Sequence, residues 1–246
     1  MIHNSICQKC GLYQGVKSPC IQGRGDLTAK LLIIGEAPGK TENEQGIPFV
    51  GKSGEILQYY LDKTNVKYYI SNAVRCRPTL VSEDDQGNTS TKNRTPTAKE
   101  IKLCSAKTFQ LIDKMKPDVI LALGAVPTSQ LMNLGLSMET TRGRIYYHPQ
   151  IQAYIVPTWH PAFLLRDAKG KKDTLVGMQF EEDIKQAITL LNSPKLRRAT
   201  SNPRSLFDPV DIQSYLEQLQ TSSECSLDLE TTGLNPRKDR ITGRHL

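Results

Sequence analysis

The 246-residue chain lacks any apolar run approaching the roughly 20 residues that a membrane-crossing helix needs. A helical membrane protein is therefore not expected. Its opening residues, Met1-Ile2-His3-Asn4-Ser5, lack the basic and then apolar character of a secretory leader, so the expectation is a cytoplasmic protein with no membrane partner. Internal repeats are missing too. Acids are the scarcer charge: 25 Asp and Glu face 32 Lys and Arg, a formal net charge of +7, and the pI is about 9.1. That balance favours a polyanionic partner without identifying one. Six cysteines in a chain of this length, with no secretion signal, point to metal ligands, core residues or reactive thiols rather than a disulfide framework.

What is present is organised around the stretch from Gly35 to Gly51. Leu31-Leu32-Ile33-Ile34 reads as a strand buried on both faces, and Ser53 to Lys63 carries Ile56, Leu57, Tyr60 and Leu61 at helical spacing. Between them lies a loop of glycine, proline and carboxylate. In an open parallel sheet, ligands bind beyond the carboxyl ends of the strands, so this loop, with Glu36, Glu42 and Phe49, is a candidate site.

Further strands are expected at Tyr68 to Val74, Val119 to Leu123 and Ala153 to Val156, with helices from Thr97 to about Lys116, from about Pro127 to Leu134, and from Glu181 to Leu191. Thr97-x-x-Glu100 is a capping box. The alternation predicts an α/β fold, a three-layer α/β/α sandwich with a mostly parallel central sheet. Strand ends deliver Asn72, Arg75, Cys76 and Arg77, and later His160. Leu80 to Thr95 is polar and reads as an exposed loop. Cys7 and Cys10 form an early Cys-x-x-Cys, Cys104 faces inward from a helix, and four thiols from Cys7, Cys10, Cys76 and Cys104 can meet. Four thiolates suit either an iron-sulfur cluster or zinc.

Residues 1–191 read as the first domain and 192–204 as a basic linker without acids. Residues 205–246 read as a second unit, with a helix from Val210 to Gln220 and a strand that puts Asp228 and Glu230 on one face, where two carboxylates can hold a divalent metal.

Several motifs, in order, resemble the iron-sulfur uracil-DNA glycosylases of family 4. They are the early Cys-x-x-Cys, the Gly35-Glu36-Ala37-Pro38-Gly39 loop with Glu42 and Pro48-Phe49-Val50-Gly51, Ile70-Ser71-Asn72 leading to Cys76-Arg77-Pro78, Asn93-Arg94 with Pro96, Cys104, Thr141-Arg142-Gly143, and Pro157-Thr158-Trp159-His160-Pro161 with Leu164-Leu165-Arg166. The sequence departs from that family in an enlarged polar loop between Cys76 and Cys104, in Cys20 where an aliphatic residue is usual, and in Trp159 where tyrosine is.

The resemblance implies hydrolysis of the N-glycosidic bond of a flipped-out deoxyuridine in DNA. Phe49 would stack on uracil, Asn72 would read its edge, Glu42 would face C5, Ala37 would line the pocket, and His160 and Glu36 would serve catalysis. Arg142 and Arg166 would meet the DNA backbone. Cys7, Cys10, Cys76 and Cys104 would hold a 4Fe-4S cluster, with zinc as the alternative, leaving Cys20 and Cys225 free. A monomer is expected.

Asp228-x-Glu230-Thr231-Thr232-Gly233-Leu234 resembles the first metal motif of a proofreading 3'-5' exonuclease of RNase H-like fold, here expected to be a truncated and inactive start. Together the two parts are similar to the amino-terminal region of a bacteriophage DNA polymerase of the polymerase I type. That makes replication machinery, or a polymerase encoded downstream, a candidate partner. It also raises the alternative of a non-catalytic uracil-sensing module.

Overall fold

The computed structural model describes residues 5–84, 86–132, 137–167, 174–193, 228–231 and 241–245. The chain divides into two compact units, Met1–Leu196 and Arg197–Leu246.

The first unit is built on a sheet whose four central strands are parallel: β2 (Leu31–Gly35), β3 (Tyr68–Asn72), β6 (Val119–Leu123) and β8 (Ala153–Thr158). Short antiparallel strands β1 (Arg24–Gly25) and β7 (Tyr146–His148) close the edges, giving the order β1-β3-β2-β6-β8-β7. β2, β6 and β8 are buried throughout and β3 from Tyr69 on, and their side chains alternate between two separate cores. Leu31, Ile33, Leu121 and Leu123 join one core with Tyr60, Phe180 and Ile184. Leu32, Ile34, Ile120 and Ala122 join the other with Ile112, Met115 and Leu131. The first is covered by α3 (Lys52–Leu61), α7 (Pro161–Asp167) and α8 (Leu175–Asn192), the second by α4 (Ala98–Met115) and α5 (Ala125–Met132). Strands with apolar side chains on both faces need a helix layer on each side, which is the expected α/β arrangement with a mostly parallel sheet.

Local signals explain the boundaries. Thr97 and Glu100 form the expected capping box at the start of α4, and Lys116 ends that helix in a left-handed conformation. α5 begins at Ala125, two residues before the expected proline start.

The largest departure is the stretch expected as a loop from Leu80. It is a β-hairpin, β4 (Thr79–Glu83) paired with β5 (Thr89–Asn93). Both strands are mostly exposed on both faces, so no apolar alternation marks them in the sequence.

In the second unit, β9 (Asp228–Thr231) pairs antiparallel with β10 (Ile241–His245). Asp228 and Glu230 lie on β9 two residues apart. The expected helix from Val210 to Gln220, most of the basic linker, Cys225, and the Lys169 to Lys172 run lie outside the described residues.

Candidate active site and thiol cavity

The carboxyl ends of three parallel strands, β3, β2 and β8, with β6 between the last two, meet one cleft of about 530 Å³, within the range of ligand pockets. β2 runs into Glu36 and Ala37, β3 ends in Asn72, and β8 is followed by Trp159 and His160. Glu36, Ala37, Glu42, Phe49, Asn72, His160 and Arg166 all border this cleft.

Two glycines make the crowding feasible. A β-carbon on Gly35 would collide with the Phe49 ring and lie 2.7 Å from the Asn72 Oδ1 atom. Gly35 stands directly opposite Asn72 in the parallel register, so its missing side chain is what lets ring and amide share one corner. Gly124, at the end of β6, has φ +89, and a β-carbon there would lie 3.1 Å from that of His160. Both glycines serve side-chain clearance across strands.

Phe49 is a non-glycine residue at φ 56, a conformation that costs about 1 kcal/mol or more. Neighbours hold it there. Arg24 donates to the Pro48 carbonyl at 3.0 Å and to the Phe49 carbonyl at 3.3 Å. The Phe49 ring lies 6.4 Å from the His160 ring.

Glu42 is fixed by three backbone amides, those of Gly39 at 3.0 Å, Val50 at 3.2 Å and Gly51 at 2.8 Å. Its carboxylate is a strut that holds both ends of the opening loop, and it still forms part of the cleft wall.

Asn72 is 5 % exposed, and its Oδ1 is buried without a hydrogen-bond partner among the described residues. A buried unpaired carbonyl costs about 1–3 kcal/mol. It is an acceptor held ready for a donor.

His160 Nδ1 accepts the Ala162 N–H at 3.1 Å. With Nδ1 an acceptor, the neutral ring carries its proton on Nε2. Burial, helped by the Arg166 charge, pulls the His160 pKa down to about 4. The ring is therefore a neutral donor at physiological pH. Burial also pushes the Glu36 carboxyl up, with Arg166 opposing it. Arg166 itself is exposed at the cleft.

Arg142, expected at the DNA backbone, is committed elsewhere. It grips Asp183 through Nε at 3.2 Å and Nη2 at 2.9 Å. Asp183 is fully buried and also accepts from Thr158 Oγ1 at 2.7 Å. A buried carboxylate with no cation beside it would be strongly unfavourable, so Arg142 supplies the charge that Asp183 needs. Arg94 is likewise taken, in a fork on Glu100 at 2.8 and 2.6 Å. Lys40 and Lys52, which the sequence reading passed over, instead present exposed charge along the cleft. Each follows a glycine at a helix start, a signal easily taken for solvation.

A second cavity is bordered by Cys7, Cys10, Cys20, Cys76 and Cys104. α1 (Ser5–Cys10) brings the early pair against α4, which carries Cys104, and Cys76 follows the end of β3. Among the described residues, no three His, Cys, Asp or Glu side chains are grouped tightly enough to hold a metal ion. The donor set nonetheless suits a cluster. The Cys20 N–H donates to Cys76 Sγ at 3.2 Å, and the Arg75 N–H donates to Cys104. Amide donors to sulfur are a feature of iron-sulfur sites. Burial drives the Cys76 thiol up to about 12 and that of Cys104 up to about 11, so thiolates here need a metal charge beside them. Cys20, expected to be free, is buried in this same cavity.

A family model described as the uracil DNA glycosylase superfamily matches residues 22–182. The type-4 uracil-DNA glycosylase of Pyrobaculum aerophilum is 33% identical over 187 residues, which is 72% of this chain and 86% of that protein. The type-4 enzyme of Saccharolobus solfataricus is 32% identical over 198 residues, 76% of this chain and 82% of its own. A DNA polymerase of Bacillus phage SP01 is 24% identical over 229 residues, covering 90% of this chain but 23% of the polymerase. Since the first unit ends at residue 196 of 246, the polymerase match at 90% of the chain continues into the second unit. Model and relatives agree on the first unit: this chain belongs to the uracil DNA glycosylase superfamily, among the type-4 members.

Proposed function

We propose that the chain is a monofunctional uracil-DNA glycosylase, which hydrolyses the bond between uracil and deoxyribose in DNA and leaves an abasic site. The observation that carries the reading is the buried, unpartnered Asn72 Oδ1 beside the Phe49 ring and the neutral His160. Uracil offers an N3–H donor and an O4 acceptor along one edge. The Asn72 amide answers both, Oδ1 accepting from N3–H and Nδ2 donating to O4. Cytosine reverses both groups and leaves the amide mismatched, a discrimination of roughly 1–3 kcal/mol for such two-point readout.

Phe49 stacks on the flipped base and helps offset its unstacking. Ala37 lines the pocket, and the pinned Glu42 forms a rigid wall against the C5 methyl of thymine. As the bond breaks, negative charge grows on O2 and positive charge on the sugar. A neutral Nε2–H of His160 aimed at O2 stabilises the departing base without reorganisation. Glu36, at the same cleft, orients the attacking water. Arg166, Lys40 and Lys52 receive phosphates, which makes binding salt-sensitive.

Cys7, Cys10, Cys76 and Cys104 would hold a 4Fe-4S cluster. When bound it acts as a cross-link of the amino-terminal helix, the β3 exit and α4, remote from the chemistry. Zinc is the alternative occupant, and iron and sulfide analysis of anaerobically purified protein separates the two.

Residues 1–191 are read as the glycosylase domain, 192–204 as a linker and 205–246 as an exonuclease-like start in which Asp228 and Glu230 would bind a divalent ion. No exonuclease activity is expected from it. The phage polymerase relative supports a link to replication and favours one second reading, a uracil-sensing module that binds without cutting. Incubation with uracil-containing DNA followed by alkaline cleavage decides: strand scission at uracil supports the enzyme, and intact DNA from correctly folded protein removes it.

A further inference from the structure

The β4–β5 hairpin is tied down at its root and exposed along its strands. Its strands form their own two-stranded sheet, separate from the central one. At the root, Arg94 forks onto Glu100 at 2.8 and 2.6 Å and donates from Nε to the Thr79 carbonyl at 3.2 Å. Arg77 Nε donates to Asn93 Oδ1 at 2.6 Å. Pro78, Asn93, Arg94 and Thr95, which flank the hairpin, all border the cleft. An anchored arm thus stands at the mouth of the base pocket.

The pairing register assigns its faces. Thr79 opposes Asn93, Leu80 opposes Lys92, Val81 opposes Thr91 and Ser82 opposes Ser90. Opposed residues share a face, and faces alternate along each strand. The Ser82 and Ser90 hydroxyls meet at 2.7 Å, as that rule requires. Asn93 borders the cleft, so Val81 and Thr91 continue the cleft-side face about 7 Å farther out. Leu80 and Lys92 occupy the opposite face. Val81 is 68% exposed and Leu80 60%. Two adjacent aliphatic side chains of similar exposure therefore point in opposite directions, and only one lies on the cleft side.

A nucleotide flipped into the cleft stays joined to its two neighbours through phosphates. Those neighbours must cross the cleft mouth. We propose that the Val81–Thr91 pair is a DNA-contacting platform, packed against the sugar and base of the nucleotide next to the flipped uridine. Apolar side chains at an unstacked step take up the surface that the displaced base leaves open. The occupant is DNA because the platform continues the cleft surface. The tip carries Glu83 and Asp84, and Asp84 is used in closing its own turn through the Gln86 and Asn88 amides at 3.0 and 2.8 Å. Acidic residues at the tip repel phosphate, which keeps the strand across the root of the hairpin.

The proposal rests on the glycosylase reading, and one experiment separates their failures. Full-length wild type, Val81→Asp, Leu80→Asp and Val81→Ile are titrated by fluorescence anisotropy against a single-stranded oligonucleotide carrying one 2'-fluoro-deoxyuridine. The fluorine destabilises the sugar cation and keeps the base attached. Val81→Asp weakens binding on the order of tenfold, the loss of one buried aliphatic contact. Leu80→Asp stays within about twofold, as an exposed substitution should, and Val81→Ile binds like wild type. Unchanged binding by Val81→Asp, or equal losses from the two aspartates, overturns the proposal. Uracil release by the wild type is measured in parallel on ordinary deoxyuridine. Its absence would remove the glycosylase reading while leaving the Val81 and Leu80 contrast readable.

Discussion

The base cleft and the thiol cavity draw on the same strand exit, four residues apart, yet they are finished in opposite ways. Asn72 ends β3 with a buried acceptor that no group among the described residues satisfies. Cys76 follows with its sulfur already served by a backbone amide. In the cleft, glycines remove side chains so that polar groups can be held close and left available. In the cavity, main-chain N–H groups donate to two of the sulfurs, those of Cys76 and Cys104. The first arrangement suits a ligand that comes and goes, and the second suits one that stays.

Disabling the cleft alone tests that contrast most severely. His160→Ala is expected to lower the single-turnover excision rate about 10²- to 10³-fold, with the visible absorbance of the purified protein unchanged. Asn72→Ala follows, at about 10- to 100-fold in excision, with salt-sensitive DNA binding retained. Loss of absorbance in either variant would show that the two sites are not separable.

Disabling the cavity is expected to act on stability. Cys104→Ser should lower iron content and the thermal midpoint, while the folded fraction excises at close to the wild-type rate. A rate loss as deep as that of His160→Ala would place the cavity in the chemistry. Arg142→Ala tests whether that arginine serves the fold or the DNA. It leaves Asp183 as an unpaired buried charge and should cost about 3 kcal/mol in denaturant unfolding, with DNA affinity unaltered.

The smallest effect near neutrality is that of pH. The folded pKa of His160 is depressed, to about 4, against roughly 6.5 when unfolded. The neutral ring therefore contributes stability that is fully present above the unfolded value and lost as pH falls toward the folded one. Excision through His160 should stay level from pH 8 to 6 and drop only as pH approaches 4. A drop centred near 6.5 would mean that the ring is not held neutral.

Much of the cleft was legible because its residues sit at strand ends, where short apolar runs announce them. Val119 to Leu123 and the Thr97 capping box needed nothing beyond local pattern. The hairpin was illegible for the opposite reason, since strands exposed on both faces have no apolar alternation. The ion pair of Arg142 was illegible because its partner Asp183 is 41 residues away, and nothing local distinguishes a paired guanidinium from a solvated one. Gly35 was legible as a glycine in a loop, but its use depends on Phe49 and Asn72 arriving from elsewhere.

Asp183 has one more consequence. It lies inside α8, the helix by which the chain leaves the first unit's described core at Asn192, and it is fastened to Thr158 at the end of β8, two residues before His160. A helix late in the first unit is therefore bonded directly to the strand that ends beside His160. Gln179, one turn earlier on the same helix, accepts from Trp159 Nε1 at 2.9 Å, so α8 holds both residues that lead into His160.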